Sequence, residues 1–200
     1  MTVEDVLQWA IPDPSLCRER ADLLRAEHPG YTDEQLAWVA VKATRRWAVL
    51  AGAASGAVAN PLIMAPASMA EVGYVLREEG KLAGVIAAIM DPDSLREIDT
   101  FHGDILSVLF PGAVSQLLQQ LGVRGGQVGT KTLIRNVLSK GLIRQLLRLA
   151  ARFLKIRITQ KAIASKMLPV IGGGIGAAWN WNEVQSVGRR AIRYHRRRRV

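Results

Sequence analysis

Six polar residues in one short stretch, Asp91, Asp93, Glu97, Asp99, His102 and Asp104, are the chain's candidates for acid–base or metal chemistry. Asp99 and His102 are three apart and share a face if the segment is helical, as two ligands or an acid–base pair would require. A zinc or di-metal centre needs further ligands from elsewhere. Neither His28 nor His195 stands at a matching spacing. The expectation is therefore helix-capping acids and surface salt bridges. The run Gly125-Gly126-Gln127-Val128-Gly129-Thr130-Lys131-Thr132 matches a phosphate loop only in outline. Thr130 stands where that loop needs glycine directly before its lysine, and no strand precedes it. Gly172-Gly173-Gly174-Ile175-Gly176 likewise lacks the dinucleotide-loop spacing. Cys17, the single cysteine, excludes a disulfide framework and a cysteine-based zinc site, and reads as an ordinary thiol. No catalytic residue, metal ligand or cofactor is assigned, and the expectation is a protein that is not an enzyme.

Charge is more informative. The 200 residues carry a net charge of +10, but 16 of the 17 acids precede Leu121. The part up to about residue 121 is acidic at −7, and residues 122–200 are strongly basic at +17 with Glu183 as their one acid. Such a layout points to an anionic surface or an acidic partner protein. Lys140, Arg144, Arg148, Arg152 and Lys155 follow helical spacing and share one stripe. Leu142, Ile143, Leu146, Leu147, Leu149, Ala150, Phe153 and Leu154 occupy the opposite arc, which makes a cationic amphipathic helix. Arg196, Arg197, Arg198 and Arg199 form a second cluster. The expected ligand is anionic lipid or another polyanion, and the rival is that the stripe docks on the protein's own acidic half. Nucleic acid is not expected, because Phe153, Trp179, Trp181 and Tyr194 are not interleaved with the basic residues as a stacking platform requires.

The elements that must position these residues are helical throughout. No sustained period-2 run of β-branched residues is present. Ser15 is placed to cap a helix to about Glu27, and Thr32-Asp33-Glu34-Gln35 fits a capping box. The helix that follows should bury Leu36, Val39, Ala40, Ala43, Trp47 and Leu50 and run to the 52–60 region. Pro61 should open a helix that Gly80 ends, with a short helix over Lys81–Met90 stopped by Asp91-Pro92. Asp93 or Ser94 should cap Leu95–Phe110, and Pro111-Gly112 should restart a helix to Gly122. A loop over Arg124–Gly129 precedes helices at Lys131–Ser139, Leu142–Leu154, Gln160–Met167 and about Ile175–Arg198. The expected fold is all-α, a bundle of roughly 8–10 helices packed through Gly and Ala, with residues 1–30 as an N-terminal extension to a domain over 31–200.

The acidic N-terminus does not fit a secretory signal, so a cytoplasmic protein is expected. Trp47–Ala70 carries no charge, but it is rich in Ala and Gly and holds Pro61 and Pro66. Ile105–Val123 and Met167–Asn182 are uncharged and contain Pro111 and Pro169. These stretches read as buried helices packed through small residues, with membrane insertion as the alternative. Trp179 and Trp181, beside the last stretch, suit a membrane interface.

Two blocks together resemble the EcsC family of bacterial proteins. One is Ala51-Gly52-Ala53-Ala54-Ser55-Gly56 with Asn60-Pro61-Leu62, Pro66-Ala67 and Glu71-Val72. The other is Lys166-Met167-Leu168-Pro169-Val170-Ile171-Gly172, continuing through Gly176-Ala177-Ala178 and Asn180 to Val187-Gly188 and Ala191. The likeness covers about Leu36–Tyr194. It implies a helical, membrane-associated bacterial protein with an ABC transporter as neighbour, and it carries no catalytic residues across. The function expected is peripheral binding at the inner face of the cell membrane through the stripe and the arginine cluster.

Overall fold

The computed structural model describes residues 3–56, 61–123, 142–167 and 172–196, with side chains over 3–50, 72–123, 142–160 and 176–196. The described residues form helices joined by short turns, with no strand. Eight α-helices follow in order: α1 (Val3–Ala10), α2 (Pro14–Glu27), α3 (Asp33–Gly56), α4 (Pro61–Met90), α5 (Ile98–Leu109), α6 (Pro111–Gln120), α7 (Ile143–Met167) and α8 (Gly172–Arg196). A 3₁₀ turn, Pro92–Leu95, separates α4 from α5. The all-α bundle is thus the observed architecture. The loop at Arg124–Gly129 and the helix at Lys131–Ser139 lie outside the described residues.

Local chemistry explains most boundaries. Asp13, not Ser15, caps α2: its carboxylate accepts from the Ser15 amide at 2.7 Å, and Pro14 takes the first helical position. At α3 the capping box forms as read, with the Thr32 amide donating to Gln35 Oε1 at 2.8 Å and the Gln35 amide to Thr32 Oγ1 at 3.3 Å. Helix α6 ends in a Schellman motif, where Gly122 at φ 75° lets the Val123 amide reach the Leu118 carbonyl at 3.0 Å. The helix α1, absent from the sequence reading, buries Val6, Leu7 and Ala10.

Two expected breaks do not occur. Gly80 does not end a helix, and α4 runs unbroken from Pro61 to Met90. The reason is packing: a Cβ on Gly80 would lie 1.9 Å from the Ala10 carbonyl oxygen, so glycine lets the end of α1 rest on α4. Gly84 similarly makes room for the Cys17 thiol. The segments Leu142–Leu154 and Gln160–Met167 are likewise one helix, α7.

Helix α4 touches α1, α2, α3, α5, α7 and α8 and forms the centre of the bundle. Arg25 of α2 donates to the carbonyls of Ala88 and Ile89 at 3.3 and 3.1 Å, placing a cation on the otherwise unsatisfied end of α4. The first 30 residues are not an appendage, because Val6, Leu7, Ala10, Cys17, Ala21 and Leu24 belong to the same apolar core as α3–α8. Burial pushes the Cys17 thiol up to about 12, so it stays protonated and inert.

Helices α3 and α8 run antiparallel: Asn180 Nδ2 donates to the Ala48 carbonyl at 3.0 Å, and Val41 fills the space over Gly188. Their close approach corrects the buried face expected for α3. Leu36, Ala37, Ala40, Val41 and Ala48 are buried, whereas Trp47 and Leu50 point outward at 63% and 61% exposure. Small residues win the inner positions because an indole would hold the two backbones apart.

Gly80→Ala should therefore lower stability by roughly 1–3 kcal/mol through overpacking. At Gly73 an added Cβ meets Val6 Cγ1 at 3.4 Å, an ordinary contact. Gly73→Ala should be neutral or stabilising by up to about 1 kcal/mol. Urea denaturation of both variants checks the contrast.

Candidate functional site

Helix α7 carries charge on two opposite sides, and each side has its own task. Arg144, Arg148, Arg152 and Lys155 are all exposed. Among the described residues none of these four side chains makes an ion pair or a hydrogen bond. The span from Arg144 to Lys155 is about 16 Å of helix. Ile156, 52% exposed, extends the same surface with an apolar side chain. The opposite arc is buried through Leu146, Leu149, Ala150 and Leu154, which joins α7 to the core. The stripe thus faces solvent rather than the chain's own acidic half. Lys140, Arg197, Arg198 and Arg199 lie outside the described residues.

Arg196 behaves differently. Its guanidinium pairs with Glu34 on α3, so at this point the basic half does meet the acidic one. The two side chains are about half exposed, a setting in which such a pair contributes about 0.2–1 kcal/mol.

On the inner side of α7, Arg157 is held by two carboxylates. It makes a two-pronged contact with Glu79 of α4, with both N–O distances at 2.9 Å, and it also pairs with Glu183 of α8. Glu79 is fully buried. Burial works against the Arg157 charge, but the charges of Glu79 and Glu183 and their hydrogen bonds outweigh it and raise its pKa. Arg190 of α8 lies beside the triad and donates from Nε to the Val108 carbonyl of α5 at 2.9 Å. Together with Trp179, Asn182, Ser186 and Val187 these residues line a cleft of about 390 Å³. None of the triad was identified from the sequence. The available signal was Glu183, the one acid in the basic half, and an arginine on the apolar arc of α7.

The two interface tryptophans are not placed alike. Trp179 is half-buried and lines that cleft. Trp181 is exposed, but the Arg45 guanidinium lies 3.3 Å from its ring centroid, and Arg45 also bonds Gln185. Trp47, read as a core residue, is the more open indole.

The acidic stretch divides as well. Asp93 pairs with Arg96 at 3.0 Å on the surface, and Glu97 accepts from Thr100 Oγ1 at 2.7 Å at the start of α5. The surface pair is the role expected, but the cap is not: Asp93 and Ser94 fall within the 3₁₀ turn, and α5 starts at Ile98 behind Glu97, whose side chain makes no cap bond to the helix backbone. His102 is half-buried, and its pKa is lowered by burial against the opposing pull of Asp99. Asp104 departs from the expectation, being fully buried and accepting from the Tyr194 hydroxyl at 2.7 Å. Asp91 lies 3.5 Å from His195 Nδ1, although no spacing in the chain relates His195 to this stretch.

No family model, curated protein or solved structure matches this chain.

Removing one member of the triad should be costly because it leaves a buried charge unpaired. Glu79→Ala or Arg157→Ala alone should each lose about 3–5 kcal/mol. The double variant should lose less than the sum of the two, and chemical denaturation in a double-mutant cycle measures that coupling.

Proposed function

We propose that this protein is a binding protein rather than an enzyme, and that it docks on anionic membrane surfaces through the α7 stripe. The observation that carries the reading is the exposure of Arg144, Arg148, Arg152 and Lys155 on one face, free of acidic partners among the described residues. A basic side chain close to an anionic leaflet contributes about 1 kcal/mol, and four act over a line matched to several headgroups. Ile156 beside them adds apolar contact at the headgroup level. Lys140 and the arginines 197–199 add charge to the same half of the chain.

The reading favours peripheral attachment. No helix among the described residues is long and apolar enough to cross a membrane. The resemblance of the two small-residue blocks to the EcsC family supports the same placement, at the inner face of a bacterial cell membrane near a transporter. An acidic partner protein is the other ligand that the stripe would suit, and the test separates the two.

Flotation with vesicles of neutral lipid, and of neutral plus anionic lipid, at low and high salt is the measurement. Binding should require the anionic lipid and fall as salt screens the charges. Changing Arg144, Arg148, Arg152 and Lys155 together to Gln should weaken it by more than about a hundredfold while leaving the helix folded. Equal recovery with neutral and anionic vesicles would sink the proposal. A detergent-resistant complex with an acidic protein, and no vesicle binding, would replace it with the partner reading.

A further inference from the structure

Three donors from three separate elements meet at one end of the bundle. Asp91 follows the last turn of α4, Asp104 is in the middle of α5, and His195 is in the last turn of α8. One ligand atom of each lies within 4.8 Å of the other two. Asp104 is fully buried, His195 is 1% exposed, and the Asp91 side chain is 13% exposed and opens the cluster to solvent.

The spacing has a chemical reading. His195 Nδ1 and Asp91 Oδ2 are 3.5 Å apart. Two donors on a tetrahedral zinc, each about 2.0–2.2 Å from it, are themselves roughly 3.3–3.6 Å apart. One surrounding contact is of the kind a metal ligand needs. The Tyr194 hydroxyl on Asp104 Oδ1 orients that carboxylate, as outer-shell partners orient metal ligands. Asp91 is set by the turn after it, where Ser94 donates from its amide at 2.9 Å and from Oγ at 2.7 Å to the Asp91 carbonyl, with Pro92 between them.

We infer that Asp91, Asp104 and His195 form a binding site for one divalent transition ion, with zinc as the best match to two carboxylates and an imidazole. The ion takes one oxygen from each aspartate and Nδ1 of neutral His195, and water from the Asp91 side completes the tetrahedron. It joins the ends of α4 and α8 to α5, far along α8 from the Glu183 attachment, and its water position stays open. The inference rests on this end of the bundle alone and is independent of the membrane reading.

The experiment uses the full chain without a polyhistidine tag, stripped with a chelator and titrated with ZnCl₂ in a calorimeter. One equivalent should bind, and at a hundredfold excess over Kd the Tm should rise by about 5–11 °C. Asp104→Asn and His195→Gln should each abolish the rise, whereas His102→Gln, on α5 but outside the cluster, should keep it. Because the buried variants could fail to fold, Co²⁺ is added to the unaltered chain as a second readout. Intense visible bands of tetrahedral Co²⁺ are expected. A spectrum matching the hydrated ion, no stoichiometric heat, or zinc binding retained in folded His195→Gln would overturn the inference.

Discussion

Arg157 lies between Glu79 of α4 and Glu183 of α8, and this buried ion triad sets how α7 can rest on the bundle. A guanidinium with two carboxylates satisfies its charge only if all three helices keep their rotation. Sliding or turning α7 would leave at least one charge buried and alone, which is far more costly than losing an apolar contact. The apolar arc supplies attraction without direction, and the triad supplies the direction.

The exposure of the stripe follows from that constraint. On a helix with 100° between residues, Arg157 points about 180° from the mean direction of Arg144, Arg148, Arg152 and Lys155. Holding Arg157 inward therefore turns the other four outward. One arginine of α7 meets the acid in its own half and a buried acid of the other half. The four described stripe cations stay available, and acids of the other half are instead engaged in the Asp13 cap, the Asp93–Arg96 pair and the Glu34–Arg196 pair. The net charge of +10 thus conceals an arrangement in which part of the basic excess is used internally and part is presented on one line.

Sequence reasoning worked where a boundary depends on neighbouring residues. The Thr32–Gln35 box, the Asp91-Pro92 stop and the Gly122 ending are all local hydrogen-bond chemistry, and all occur. It worked for Arg144, Arg148, Arg152 and Lys155 as well, since spacing along one helix determines which residues share a face. It failed where a distant segment decides. Gly80 carries the same local message as a helix-ending glycine, yet it serves the carbonyl of Ala10 on another helix. Trp47 and Leu50 keep apolar periodicity, yet the approach of Gly188 and Val41 gives the inner face of α3 to smaller residues.

Composition and spacing alone determined that this chain is helical, that its charge is divided by region, and that one helix bears a cationic stripe. Those properties are additive or short-range, so no partner segment is needed to read them. Which arginine turns inward, and that His195 meets Asp91 and Asp104, were decided only by tertiary structure. Ion pairs and ligand clusters join residues far apart in the chain, and their existence depends on three helices packing at one rotation and one height.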